Sequence, residues 1–209
     1  MKHITRSLSL LSLPLLFAAS ANAQSNIDVH FGGGMAWAKS SGQQIDTFNN
    51  GTPYTTPSMQ NSFLGGGGEV MFTPQFGAGA EFNWQIAKSD YAGLQVRPLF
   101  YDFNGVWHPN PHNKRYVFEA RAGLGGTSLH FSNSSSTCDP FTGCSSFTNY
   151  AASSNHFQLH MGVAANIYLT SKVFFRPELD AHWVNNFFQY GSNWVPRASL
   201  AIGYTFGER

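Results

Sequence analysis

Ala198-Ser-Leu-Ala-Ile-Gly-Tyr-Thr-Phe206 decides how this chain is read. Ala198, Leu200, Ile202, Tyr204 and Phe206 alternate with Ser199, Ala201, Gly203 and Thr205. A period of two places one set on each face of a β-strand, one face apolar and the other small or polar. Working back from this strand, the same alternation recurs seven more times.

The strands are expected at about 27–39, 62–73, 77–87, 93–107, 116–131, 156–169, 173–184 and 194–206. The clearest sets Phe157, Leu159, Met161, Val163, Ala165, Ile167 and Leu169 against His156, Gln158, His160, Gly162, Ala164, Asn166 and Tyr168. In the fourth strand the alternation shifts by one near Pro98, as a β-bulge would cause. The connections alternate in length. Segments 40–61, 88–92, 132–154 and 185–193 belong to one end, and short turns near 74–76, 108–115 and 170–172 to the other. Long loops on one rim and tight turns on the other are the habit of membrane barrels. The expected fold class is all-β, an eight-stranded antiparallel up-and-down transmembrane β-barrel.

The N-terminus is consistent with export. Lys2 and Arg6 precede an apolar stretch from Leu8 to Ala19, and Ala21-Asn22-Ala23 offers a small-x-small cleavage site. Residues 1–23 read as a signal peptide, leaving 24–209 as a single barrel domain. No later apolar run reaches the ~20 residues of a membrane helix, so only a closed barrel could span. The mature part keeps ten of the twelve basic residues against eleven acidic ones. It is near neutral, which argues against a nucleic-acid partner. Cys138 and Cys144 enclose five residues in a Ser/Thr-rich segment, and in an exported protein that spacing reads as a local disulfide.

Periodicity fixes two faces and not their direction; a soluble barrel would turn the apolar face inward. The charges argue for the opposite. Lys39, Lys88, Lys114 and Lys172 lie at strand ends, loops or turns. Within strands lie Arg97, Arg121, Arg176 and Arg197, and with them Glu69, Glu81, Asp102, Glu119, Glu178 and Asp180. A cation at mid-bilayer depth against lipid costs about 2–4 kcal/mol. Inside a lumen, these ten residues can satisfy one another. The tryptophans Trp37, Trp84, Trp183, Trp194 and Trp107 fall near strand ends, a girdle pattern. Equal counting about each turn predicts Asp102 near Arg121, Asn104 near Glu119, His160 near His182 and Asn166 near Arg176.

The exported start, the eight alternating strands and the aromatic-ended Gly203-Tyr-Thr-Phe206 resemble the small outer-membrane β-barrel family of OmpA-type shape. The resemblance spans about residues 25–209. It implies a bacterial outer membrane location, lipid as surroundings, and folding by the barrel-assembly machinery, which reads the C-terminal strand. It implies neither catalytic residues nor a periplasmic peptidoglycan-binding domain. A monomeric, non-enzymatic barrel acting through its external loops in surface contact or envelope maintenance is expected, with no cofactor.

Three local patterns carry possible chemistry. Gly65-Gly-Gly-Gly68-Glu69 lacks the Lys-Ser/Thr of a phosphate loop, so the glycines read as room for lumen side chains. His156, His160, His182 and Asp180 carry ligand chemistry but no short ligand motif, so a polar network without metal is the expectation. His130-Phe-Ser132-Asn133 is similar to the His-x-Ser-Asn of outer-membrane lipid A deacylases. A lipid A-modifying hydrolase using His130 as base and Ser132 as nucleophile is therefore the alternative function.

Overall fold

The computed structural model describes residues 26–46, 49–139, 143–187 and 190–207. The proposed signal peptide lies outside the described residues. Eight long strands form the wall: β1 (Ile27–Ala38), β2 (Met59–Met71), β3 (Phe76–Gln85), β4 (Leu94–Trp107), β5 (Tyr116–Asp139), β6 (Gly143–Tyr168), β7 (Val173–Val184) and β8 (Trp194–Phe206). Each is antiparallel to its sequence neighbours, and β1 pairs with β8 from Ile27–Phe206 to Ala36–Arg197. The barrel is closed, so no wall strand has a free edge within it. Among the described residues no helix is long and apolar enough to cross a membrane.

Burial fixes which face is which. On the outside stand Phe103 (65% exposed), Ile202 (64%) and Leu179 (61%), with Leu159, Val163 and Ile167. On the inside Arg176 is wholly buried, as are Gln158 and Asn166. A folded chain that exposes its large apolar side chains and buries its guanidiniums is built for a hydrocarbon surround. Aromatic side chains ring both rims. Phe76 and Trp107 are paired at the short-turn rim, where Phe206 also stands, and Trp183 and Trp194 are paired at the opposite one.

Three expectations are corrected. First, the fourth strand carries no bulge at Pro98. Its pairing with β5 is unbroken from Gln95–Ser132 to Trp107–Ala120. Val96, Pro98, Phe100, Asp102 and Asn104 all point inward. What changes along the strand is the character of the interior, apolar near the long-loop rim and polar below it. Second, the described residues of the segment 132–154 are strand and not loop, up to Asp139 and again from Gly143. β5 and β6 continue through it as one hairpin, with a single irregularity between Phe131 and Ser132. Third, β4 and β5 are offset by four residues from equal counting, so Asp102 lies opposite Gly125 and Asn104 opposite Gly123. An even offset preserves the face of every residue and changes every partner. The pairings across the tight turn between β6 and β7 hold: His160 lies opposite His182, and Arg176 bonds Asn166 at 2.8 Å.

Candidate functional site: a sealed polar lumen under a projecting hairpin

The lumen is layered. At its lower level, towards the short turns, Arg176 forks onto Glu119, with Nη2 to Oε1 at 2.6 Å and Nη1 to Oε2 at 2.7 Å. The same guanidinium reaches Glu69 and Glu178, each at 3.2 Å. Planar fork-to-fork geometry is what arginine supplies and lysine cannot, and among the described residues no lysine is buried in the interior. One level up, Arg121 meets Asp180 at 2.6 Å, Glu178 at 2.9 Å and Glu81 at 3.1 Å. Arg197 closes the circuit on Asp180 at 2.6 Å and on Glu178 at 3.2 Å, and also donates to Asn83. Charges from β2, β3, β5, β7 and β8 are thus tied across the barrel by three guanidiniums.

Eight of the ten charged residues expected in the lumen belong to this network. Asp102 is in the lumen but apart from it. It accepts from Gln158 Nε2 at 2.5 Å and stands 3.7 Å from His182. Its expected partner Arg121 is engaged elsewhere, because of the four-residue offset. Arg97 is not in the lumen at all. With no bulge, it shares the outer face of Tyr101 and Phe103, is exposed, and donates to Ile86 O at 3.3 Å. Near the rim its guanidinium can reach water along a stem packed on the wall.

Two of the four glycines in the 65–68 run make room as expected: a Cβ on Gly65 would collide with Asn83 Oδ1 and one on Gly67 with Glu81 and His30, whereas Gly66 and Gly68 lie beside Phe31 and Val29. A Cβ on Gly162 would collide with the Asp180 carboxylate and stand 2.9 Å from Arg121 Nε. Only a bare backbone lets the central guanidinium lie against this wall.

Sequence reasoning missed the upper lumen. Towards the long-loop rim the interior is filled by Met59, Phe63, Val96, Phe100, Leu129, Val184 and Val195, capped by Phe187 and Tyr190 from the connection between β7 and β8. Phe187 stacks on Tyr190 at 4.8 Å. Burial pushes the Tyr190 phenol up, and its hydroxyl has no hydrogen-bond partner. The plug meets the polar network where Phe100 tilts onto His182, 5.2 Å between centroids. Val96, Pro98 and Phe100 are the available signal, and in the sequence they imitate a change of register. Of the voids left inside the lumen, two among the ion pairs hold about 10 Å³ each. Such a void admits about one water molecule.

Above the wall, the β5–β6 hairpin runs out to Cys138 and Cys144, which lie directly opposite each other. His130 and Ser132, the alternative catalytic pair, are not joined. His130 Nε2 contacts Ser128 Oγ at 3.3 Å, and Ser132 Oγ donates to Gln95 O at 3.5 Å. The irregularity puts its extra residue, Ala151, on β6, and β5 stays in register with β4 through His130 and Ser132.

A closed barrel with apolar exterior, ion-paired interior and aromatic rims defines a bacterial outer-membrane protein. The chain belongs to the outer membrane protein beta-barrel domain family, whose model matches residues 8–207. No curated relative matches the sequence. Among solved structures it is similar to Neisserial surface protein A (TM-score 0.55, 10% identity, 87% of this chain and 96% of that one). It is also similar to Ail, the attachment invasion locus protein of Yersinia pestis, in complex with the heparin analogue sucrose octasulfate (TM-score 0.52, 12% identity, 88% and 99%). A major outer membrane protein from Thermus thermophilus gives TM-score 0.52 at 11% identity over 87% and 99%. At these identities the likeness is one of fold.

Proposed function

We propose that this protein is a non-enzymatic, monomeric outer-membrane barrel that works through its external hairpin and the 40–58 connection, in surface contact. The observation that carries this reading is the contrast between the two parts. The lumen is filled from the ion pairs up to the aromatic plug, whereas the β5–β6 hairpin stands clear of the wall. Its surroundings are outer-membrane lipid, and its insertion is by barrel-assembly machinery reading β8. Residues 1–23 are removed on export.

The chemistry of the external segments narrows the partner. Between residues 40 and 61, and again between 132 and 154, there is no lysine or arginine. Ser, Thr, Asn and aromatic residues dominate, with Tyr150 two-thirds exposed. A polyanion such as the heparin analogue bound by Ail needs cations that these segments lack. A neutral, hydrogen-bonding surface, such as uncharged glycan or exposed peptide backbone, suits them. The Cys138–Cys144 pair, placed opposite across the hairpin, closes its tip as a disulfide.

The test replaces residues 134–150 by a two-residue turn and displays both forms on bacteria. Equal outer-membrane abundance with reduced adherence to epithelial monolayers is expected from the trimmed form. Equal adherence would contradict the reading. Hydrolysis of lipid A that disappears in Ser132→Ala would instead support the enzyme.

A further inference from the structure

The outer wall is unevenly clothed. Across β1, β8, β7, β6 and β5, two neighbouring rows of lipid-facing side chains differ in bulk. The row nearer the short turns is a ridge. Phe31 lies opposite Ile202, Ile202 opposite Phe175, Phe175 opposite Ile167 and Ile167 opposite Tyr116. The next row is thinner. Gly33 lies opposite Leu200 and Leu200 opposite Pro177, and Ala165 lies opposite Phe118. Gly33, Pro177 and Ala165 bring little bulk beside the ridge. An apolar groove of about 840 Å³ results, with Gly33, Met35, Pro177, Ala165, Phe118 and Pro109 in its lining. That is the size of a ligand cleft. Gly33 stands in the middle of β1, whereas Phe118 is near the short-turn end of β5. The groove therefore descends the wall and ends at Pro109, where the 108–115 turn begins.

That turn is cationic. Lys114 and Arg115 are exposed, and residues 108–115 contain no aspartate or glutamate. The other short turns, 72–75 and 169–172, also lack acids, and Lys172 adds a third cation to this rim. At the opposite rim Lys88 has Asp90 two residues away. Side-chain amides hold the turn to the foot of β5. Asn113 Oδ1 accepts from Arg115 N at 2.9 Å, and Asn110 Oδ1 from Phe118 N at 2.7 Å. We propose that the groove holds an anionic phospholipid of the inner leaflet, of the phosphatidylglycerol class. One acyl chain lies along the row from Pro109 to Gly33, and the phosphate meets Lys114 and Arg115. Short turns of membrane barrels face the periplasm, so this rim lies at the headgroups of the inner leaflet. Cations at that depth select anionic headgroups. A zwitterionic lipid offers the same chain but sets its own cation beside Lys114 and Arg115. A free phosphate offers the charge without a chain to fill the groove.

The experiment mixes the detergent-refolded barrel with equal amounts of phosphatidylglycerol and phosphatidylethanolamine of the same chains, and measures retained lipid by native mass spectrometry. Heat-modifiable migration on a gel selects folded material. Wild type is expected to retain phosphatidylglycerol roughly tenfold over phosphatidylethanolamine, a comparison that needs no variant to fold. The double variant Lys114→Ala, Arg115→Ala should lose this preference and keep weak binding of either lipid. Ala165→Phe fills the groove from a lipid-facing position and should lose retention of both. Lys88→Ala, at the opposite rim, should behave as wild type. Equal retention of the two lipids by wild type would overturn the headgroup assignment. Phosphatidylglycerol retained undiminished by folded Ala165→Phe, or displaced as readily by glycerol phosphate as by intact lipid, would overturn the groove. A lipid-free dimer would give the surface to a second copy of the chain and overturn the proposal as well.

Discussion

Arg176 shows what a single residue does in this interior. It is wholly buried and reaches Glu69, Glu119, Glu178 and Asn166. Arg176→Ala leaves a cluster of buried carboxylates without its cation. Removing one partner of a buried pair costs about 3–5 kcal/mol. Arg97→Ala removes an exposed guanidinium with a single contact to a backbone carbonyl, and should stay within about 0.5 kcal/mol of wild type. Urea unfolding of the detergent-refolded proteins checks both, and equal midpoints would show that the lumen charges are not mutually satisfied. A second residue-scale prediction concerns Gly162. Gly162→Val should unfold at much lower urea than Val163→Gly, although the first adds apolar surface and the second removes it. The added side chain displaces Arg121 and Asp180, while Val163 points to lipid. If Gly162→Val matched wild type, the close approach of the guanidinium to that wall would be refuted.

At the scale of elements, the β5–β6 hairpin separates barrel stability from loop shape. Cys138 and Cys144 lie opposite each other with five residues between them. Closing so short a loop removes little unfolded-state entropy from the whole chain. Reduction should therefore speed proteolysis of the hairpin tip and leave the barrel's urea midpoint nearly unchanged. A large loss of barrel stability on reduction would contradict this. The hairpin is also where sequence reading stops short. Alternation is visible only when the two faces of a strand meet different surroundings. In the wall one face meets lipid and the other the lumen, so all eight strands can be read. From Ser132 to Ser154 the described side chains are largely open to water on both faces, and the pairing rests on backbone hydrogen bonds. Polar composition there looks like loop. The same logic hides the upper lumen. Val96 and Phe100 are inward-facing yet apolar, so both faces of β4 look alike near the rim. Nine of the ten expected lumen charges do face inward, legible because a charge within a membrane strand has one tolerable direction. Their partners are not, because a turn of unknown length moves the register by even steps without moving any residue to the other face.

The whole molecule is a barrel whose interior is occupied. The ion-paired levels fill the middle, and Phe187 and Tyr190 close the long-loop mouth. Eight strands leave an interior just wide enough for side chains. Planar bilayers holding the purified protein should therefore show no stable open level, and steady conductance steps would contradict a filled lumen. The central claim is the inversion itself, with apolar residues towards lipid and a sealed polar lumen. Spin labels scanned along β6 in bilayers test it most directly. Labels at Leu159, Val163 and Ile167 should be highly accessible to oxygen, which concentrates in lipid. Labels at Gln158, Ala164 and Asn166 should be shielded both from oxygen and from a water-soluble nickel relaxer. Oxygen accessibility of the opposite phase would contradict the lipid-facing assignment, and strong nickel accessibility at the inward positions would contradict a sealed lumen.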